Sequence, residues 1–122
     1  MRGDTAAALG LWGEEQVAAY IKDLGGAIVE TRWRCRFGEL DLVAQRGEYL
    51  CFVEVKLRKS DAFAPARAFV TGSKQQKLKV AAEWYLAQHP TSLQPRFDVA
   101  EVYAPLGRGT SQPEIIYWEN AF

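Results

Sequence analysis

Asp41, Glu54 and Lys56 are charged residues set inside segments 39–44 and 50–57, which otherwise read as buried β-strand. Taking a lone carboxylate or ammonium out of water costs several kcal/mol unless a partner or a metal compensates. Side chains alternate along a strand, so Glu54 and Lys56 share one face with Leu50 and Phe52, while Cys51, Val53, Val55 and Leu57 take the other. On the preceding strand Glu39, Asp41 and Val43 share a face by the same rule. A hairpin loop with an even number of residues puts Asp41 and Glu54 on one side of the sheet. A four-residue loop at 46–49 sets them directly opposite, about 5 Å apart at Cβ. Two carboxylates that close repel each other unless a cation lies between them. A hard cation such as Mg²⁺ takes oxygen ligands and keeps several waters, so one pair of carboxylates suffices. Lys56, facing the same way, is placed to act on a metal-bound water or to stabilise charge on a phosphate. The competing explanation is an ion pair of Lys56 with Asp41 or Glu54 at a sheet end.

The elements that must hold these residues can be read from periodicity. Apolar Leu11, Val17, Ala18, Ile21 and Leu24 mark an amphipathic helix over 11–24, ended by Gly25-Gly26. Residues 27–35 are rich in β-formers, Phe37-Gly38 is a turn, and strands 39–45 and 49–57 meet at Arg46-Gly47-Glu48. Residues 60–69 lack a clean period and carry Pro65, which predicts a loop with at most a helical turn. Ser73 is the expected N-cap of a helix reaching Gln88, with Leu78, Ala81, Ala82, Tyr85 and Leu86 as its buried stripe. Strand 96–103, a turn-rich loop at 106–112 and a short strand 114–118 complete the order α-β-β-β-α-β-β. Both faces of the central strands are apolar, which predicts an α/β fold with helices on both sides of the sheet. The expected organisation is a flexible N-terminus over 1–10 and a single domain over 11–122.

Composition limits the function classes. Hydrophobic residues make up 48% and charged residues 25% of 122, the profile of a globular rather than a disordered chain. No apolar run approaches the ~18 residues of a membrane span, and the N-terminus lacks a signal-peptide core, so the expected location is cytoplasmic. Cys35 and Cys51 lack zinc-site spacing and are expected to be free, half-buried or buried thiols. His89, the only histidine, stands beside Pro90 at a helix end, which disfavours mechanisms that need a histidine. Net charge is zero, but residues 30–80 carry eleven Lys and Arg against six Asp and Glu, a net +5 balanced by −5 elsewhere. A basic middle with an embedded acidic pair suits a polyanion and a divalent cation together. Within it Lys74, Lys77, Arg34 and Arg58 are candidates for phosphate contact, with Lys74-Gln75 favoured because helix N-termini attract anions. Trp33, Trp84, Tyr85 and Trp118 have rings that can stack on bases, although core packing explains most of them.

Gly38-Glu39-Leu40-Asp41-Leu42-Val43 followed by Phe52-Val53-Glu54-Val55-Lys56 resembles the (D/E)-x(n)-(D/E)-x-K core of the PD-(D/E)XK nuclease superfamily. Together with Gly13-Glu14, Ser73-Lys74-Gln75-Gln76-Lys77-Leu78, Arg96-Phe97-Asp98-Val99 and Asn120-Ala121-Phe122, the chain resembles the YraN-like bacterial family, whose fold is similar to archaeal Holliday-junction resolvases. The resemblance implies a restriction-endonuclease-like mixed central sheet flanked by helices. It implies Asp41 and Glu54 as ligands of Mg²⁺ or Mn²⁺, with the main-chain carbonyl of Val55 completing the set. Lys56 would be the catalytic lysine and Glu14 the helical glutamate that reaches the metal site. Leu40 stands where the superfamily label has proline, which leaves the chemistry intact. The activity implied is metal-dependent hydrolysis of DNA phosphodiester bonds, on branched or structured DNA first, by a homodimer. Fold analogy does not establish activity. The alternatives are a non-catalytic nucleic-acid-binding module that keeps the fold, and a protein-interaction subunit whose polar site is only an ion pair.

Overall fold

A computed structural model describes residues 5–59 and 70–122. The 60–69 segment, for which the sequence predicts a loop, lies outside the described residues. The first helix, α1, spans Ala6–Asp23, five residues earlier than its apolar stripe suggests. Ala6, Ala7 and Ala8 are strong helix formers, and the Thr5 hydroxyl accepts the Ala8 N–H at 3.0 Å as N-cap. Residues 6–10 are therefore helix where the sequence suggests a flexible N-terminus. At its C-terminal end Gly25 takes φ +88°, and Gly26 N–H reaches back to the Ile21 carbonyl at 2.9 Å. A Cβ on Gly26 would lie 2.6 Å from the Ile21 side chain, so only glycine closes this cap without a shift.

Strands β1 (Ala27–Cys35), β2 (Gly38–Arg46) and β3 (Tyr49–Arg58) form an antiparallel meander. Helix α2 (Gly72–Gln88) then crosses over, so that β4 (Gln94–Tyr103) lies parallel to β3. β5 (Glu114–Trp118) pairs antiparallel with β4, after a short 3₁₀ turn at Gly107–Gly109. The sheet order is β1-β2-β3-β4-β5, with a helix on each face. This is the α-β-β-β-α-β-β mixed sheet of a restriction-endonuclease-like α/β fold.

Alternation along β3 splits the core in two. Leu50 and Phe52 pack with Leu78, Ala81, Ala82 and Tyr85 of α2, whereas Cys51 and Val53 pack with Val17 and Ile21 of α1. Burying each large side chain of this kind contributes about 1.5–3 kcal/mol. The cap of α2 is Thr71, not Ser73: its hydroxyl accepts the Lys74 N–H at 3.2 Å. His89 caps the other end, its Nδ1 3.0 Å from the Tyr85 carbonyl and its ring stacked on Tyr85. Cys35 and Cys51 are free thiols, and burial raises the Cys51 pKa to about 12. Among the described residues no helix is long and apolar enough to cross a membrane.

Candidate active site

The β2–β3 hairpin turns through two residues, Gly47 and Glu48, with Arg46 opposite Tyr49. The loop is shorter than the four residues considered above but equally even, and it leaves the register unchanged. Ladder pairing runs from there to Leu42 opposite Val53 and stops. The next step of the same register is Asp41 opposite Glu54. There β2 gives up main-chain pairing, and the Asp41 Oδ2 instead accepts the Val55 N–H at 2.9 Å. Strict alternation fails at this point, because Leu40 and Val43 both enter the α2-side core while Leu42 and Ala44 enter the other. On β1, Arg32 between the Thr31–Leu42 and Trp33–Leu40 pairs adopts φ +49°. The expectation that Glu39, Asp41 and Val43 share one face is thus corrected by a local distortion of β2. Parting of the two strands is what opens the site.

Glu54 is buried, and its Oε2 lies 2.7 Å from Lys74 Nζ and 3.4 Å from Lys56 Nζ. The Asp41 carboxyl is partly buried and feels the Glu54 charge. Burial, then the Glu54 charge, raise its pKa to about 7. Lys56 is half-buried; burial, then contact with Lys74, lower its pKa. Burial alone would lower Lys74 as well, but its hydrogen bond to Glu54 and the Glu54 charge raise it. The two carboxyls and the Lys74 ammonium line a cavity of about 460 Å³, and Lys56 adjoins it through Glu54, 3.4 Å from its Nζ. Glu39, Thr71, Ser73 and Lys77 contribute to its walls.

The oxygen-rich pair fits a hydrated Mg²⁺ or Mn²⁺, since a cation between Asp41 and Glu54 would offset both the burial and the Glu54 charge that raise the Asp41 pKa. Lys74 already stands against Glu54 as a cation. Among the described residues no group of three or more His, Cys, Asp and Glu forms a fuller ligand cage. Val55 enters the site through its N–H on Asp41.

Glu14 reaches this neighbourhood from the other face. α1 rests on β3 at Gly13, where a Cβ would stand 3.6 Å from Leu57 and 3.7 Å from Val55. Glu14 ion-pairs with Arg32 at 2.8 Å, and burial raises its pKa. Its charge also acts on Asp41.

The phosphate-contact candidates divide. Lys74 sits inside the site and Lys77 on its exposed rim. Gln75 instead donates to the Val70 carbonyl at 2.9 Å, tying down the start of α2. Arg34 is exposed but paired with Glu39 at 2.8 Å. Arg58 is turned inward, 3.8 Å from buried Glu101 and 5.9 Å above the Tyr103 ring. Arg32 and Glu39 are neighbours of the site that sequence reasoning did not single out. The signal for Glu39 was available, because it lies two residues before Asp41 on the same strand.

The family described as Uncharacterised protein family UPF0102 matches this chain over residues 13–102. A UPF0102 protein of Rhodococcus opacus is 38% identical over 116 residues, covering 94% of this chain and 96% of its own. One from a Synechococcus species is 42% identical, covering 93% and 90%. Another, from Geotalea uraniireducens, is 40% identical, covering 93% and 88%.

Proposed function

The chain belongs to the UPF0102 family, also called the YraN family, and from that premise we propose that it is a metal-dependent endonuclease that hydrolyses DNA phosphodiester bonds. The observation that carries this reading is the Asp41–Glu54 pair lining an open cavity together with Lys74, with Lys56 Nζ 3.4 Å from Glu54. Asp41 and Glu54 would hold the cation, with the Val55 carbonyl as the third ligand implied by the resemblance. Mg²⁺ when bound supplies Lewis acidity and a water of lowered pKa. The chain's own groups do the rest. Lys56 Nζ, with its pKa lowered, is suited to exchanging a proton at that atom and to stabilising charge on a phosphate oxygen. Lys74 and Lys77 offer positive charge to the phosphates on either side. Glu14, held by Arg32, adds negative charge that raises the Asp41 pKa and would help draw a cation to the site. Branched or structured DNA is the first substrate to try, and a homodimer the assembly to look for.

Cleavage of a panel of duplex, single-stranded, flap and four-way DNA in Mg²⁺ or Mn²⁺ tests the reading. Wild-type protein should cut at least one member, and Glu54→Ala should lose that activity by orders of magnitude. Identical behaviour of the two proteins across the panel removes nuclease activity. One observation favours a second reading, a nucleic-acid-binding module without catalysis: Lys74 already neutralises Glu54 at 2.7 Å. Salt-sensitive binding without cleavage would select it.

A further inference from the structure

Two aromatic rings stand exposed beside the carboxylate cavity. Phe37, in the β1–β2 turn, and Trp84, on α2, are each 41% exposed, with ring centroids 5.2 Å apart. The inner aromatics of the same elements behave differently. Trp33 and Tyr85 meet edge to face inside the α2-side core, and Tyr85 is buried. Phe37 and Trp84 are therefore not needed to fill that core, and they leave apolar ring surface in water.

The cavity beside Phe37 is one-sided in charge. It measures about 360 Å³ and is lined by Phe37, Ser73, Gln76, Lys77 and Val80, and none of these residues is acidic. Ser73 and Lys77 also line the carboxylate cavity, so the two share a wall. The Arg36 guanidinium lies 5.4 Å from the Phe37 ring centroid. Flat apolar surface bordered by cations suits a group that is flat, aromatic and flanked by negative charge. An unpaired nucleotide has that chemistry, whereas a base inside a duplex has both faces covered by its neighbours.

We propose that Phe37 and Trp84 form a stacking platform for an unpaired base next to the phosphate held in the carboxylate cavity, so that the substrate is a nucleic acid with a single-stranded segment at the point of cleavage. This rests on the nuclease reading for the adjoining cavity but uses none of its metal ligands. Lys77, on the shared wall, lies between the stacked base and the carboxylates and is placed to meet the intervening phosphate.

Binding measured without turnover tests the platform. Fluorescence anisotropy in EDTA would compare labelled oligothymidylate with a blunt duplex for wild type, Phe37→Ala, Trp84→Ala, Trp84→Phe and Leu106→Ala. Leu106 is the control, an exposed apolar side chain outside both cavities. Loss of one stacked base weakens single-strand binding about five- to a hundredfold, so both alanine variants should fall in that range. Trp84→Phe should recover most of the loss, and duplex affinity and Leu106→Ala should stay at the wild-type level. Unchanged single-strand affinity in both alanine variants overturns the platform, as do equal losses on duplex and single strand. A dimer that dissociates in Phe37→Ala with nucleic-acid affinity intact also overturns it, and assigns the rings to a second copy of the chain. Wild-type protein that cuts DNA while Phe37→Ala binds normally defeats the platform alone. Wild-type protein that binds neither probe defeats the nucleic-acid reading with it.

Discussion

At the scale of single residues, the site is a contest over charge. Asp41 keeps its proton up to about pH 7 because it is buried and faces Glu54, against 3.8 for an ordinary aspartate. Between those values the folded state binds a proton that the unfolded state has lost. The Asp41 contribution is therefore fully present at acid pH and is lost as pH rises towards 7, by at most about 1.4 kcal/mol per pH unit. Urea unfolding of metal-free protein from pH 4 to 8 should show this decline. Asp41→Asn, which keeps an oxygen for the Val55 N–H, should flatten it and be the more stable protein at pH 7. An unchanged slope in the variant would contradict the assignment. Lys74 sets a second expectation, since it occupies on Glu54 the position that an entering cation needs. Lys74→Met should raise Mn²⁺ affinity on the order of tenfold by calorimetry, while Lys77→Met, on the exposed rim of the cavity, should change it little. Equal gains in both would reduce the effect to general charge. The Asp41–Glu54 pairing was legible in the sequence because an even loop fixes the register, although the period-two alternation used to assign faces fails at Asp41. The Lys74–Glu54 contact was not, because it depends on how α2 sits across the sheet. Arg58 looked available for phosphate because nothing in the sequence shows Glu101 one strand away, drawing it inward.

At the scale of elements, the boundaries of β1 and β5 agree with their sequence patterns, since both lie between clear turn residues. The two helix starts do not. α1 begins in an alanine run that carries no amphipathic signal, and α2 is capped by Thr71, two residues before the serine that looked like the cap. The Arg96-Phe97-Asp98-Val99 motif gains a structural explanation. Asp98, wholly buried on β4, accepts two hydrogen bonds from Arg96 at 3.0 Å, one from the Tyr117 hydroxyl at 2.6 Å and one from the Asn120 N–H at 2.8 Å. These bonds join β4 to β5 and to the chain beyond it. Asp98→Ala leaves a largely buried guanidinium without its carboxylate and should cost about 3–5 kcal/mol, read as a lower denaturation midpoint. Tyr117→Phe removes a single donor and should cost about 1–2 kcal/mol. A cost for Asp98→Ala no larger than that of Tyr117→Phe would show that Arg96 finds other partners.

At the scale of the whole molecule, the sheet sorts its faces cleanly. α1 covers one and α2 the other, and the carboxylate pair opens where β2 parts from β3. The net +5 of residues 30–80 covers β1 to β3 and the first half of α2, the elements that surround the two adjoining cavities. The fold class was legible because apolar runs with both faces buried demand helices on both sides. The parallel pairing of β3 with β4 has a kinetic consequence. The β1–β2–β3 meander closes short loops and should form early, whereas β4 can join β3 only after the long crossover through α2 is ordered. Asp41 and Glu54 are therefore expected to come together before Lys74 arrives, with Lys56 as the cation already beside Glu54, and the barrier to folding should contain part of their repulsion. In stopped-flow measurements at neutral pH without metal, Asp41→Asn should fold faster than wild type. Lys74→Met should leave the folding rate unchanged and unfold faster, the signature of a contact made after the transition state. On this order the repulsive pair assembles before the Lys74 charge that offsets it.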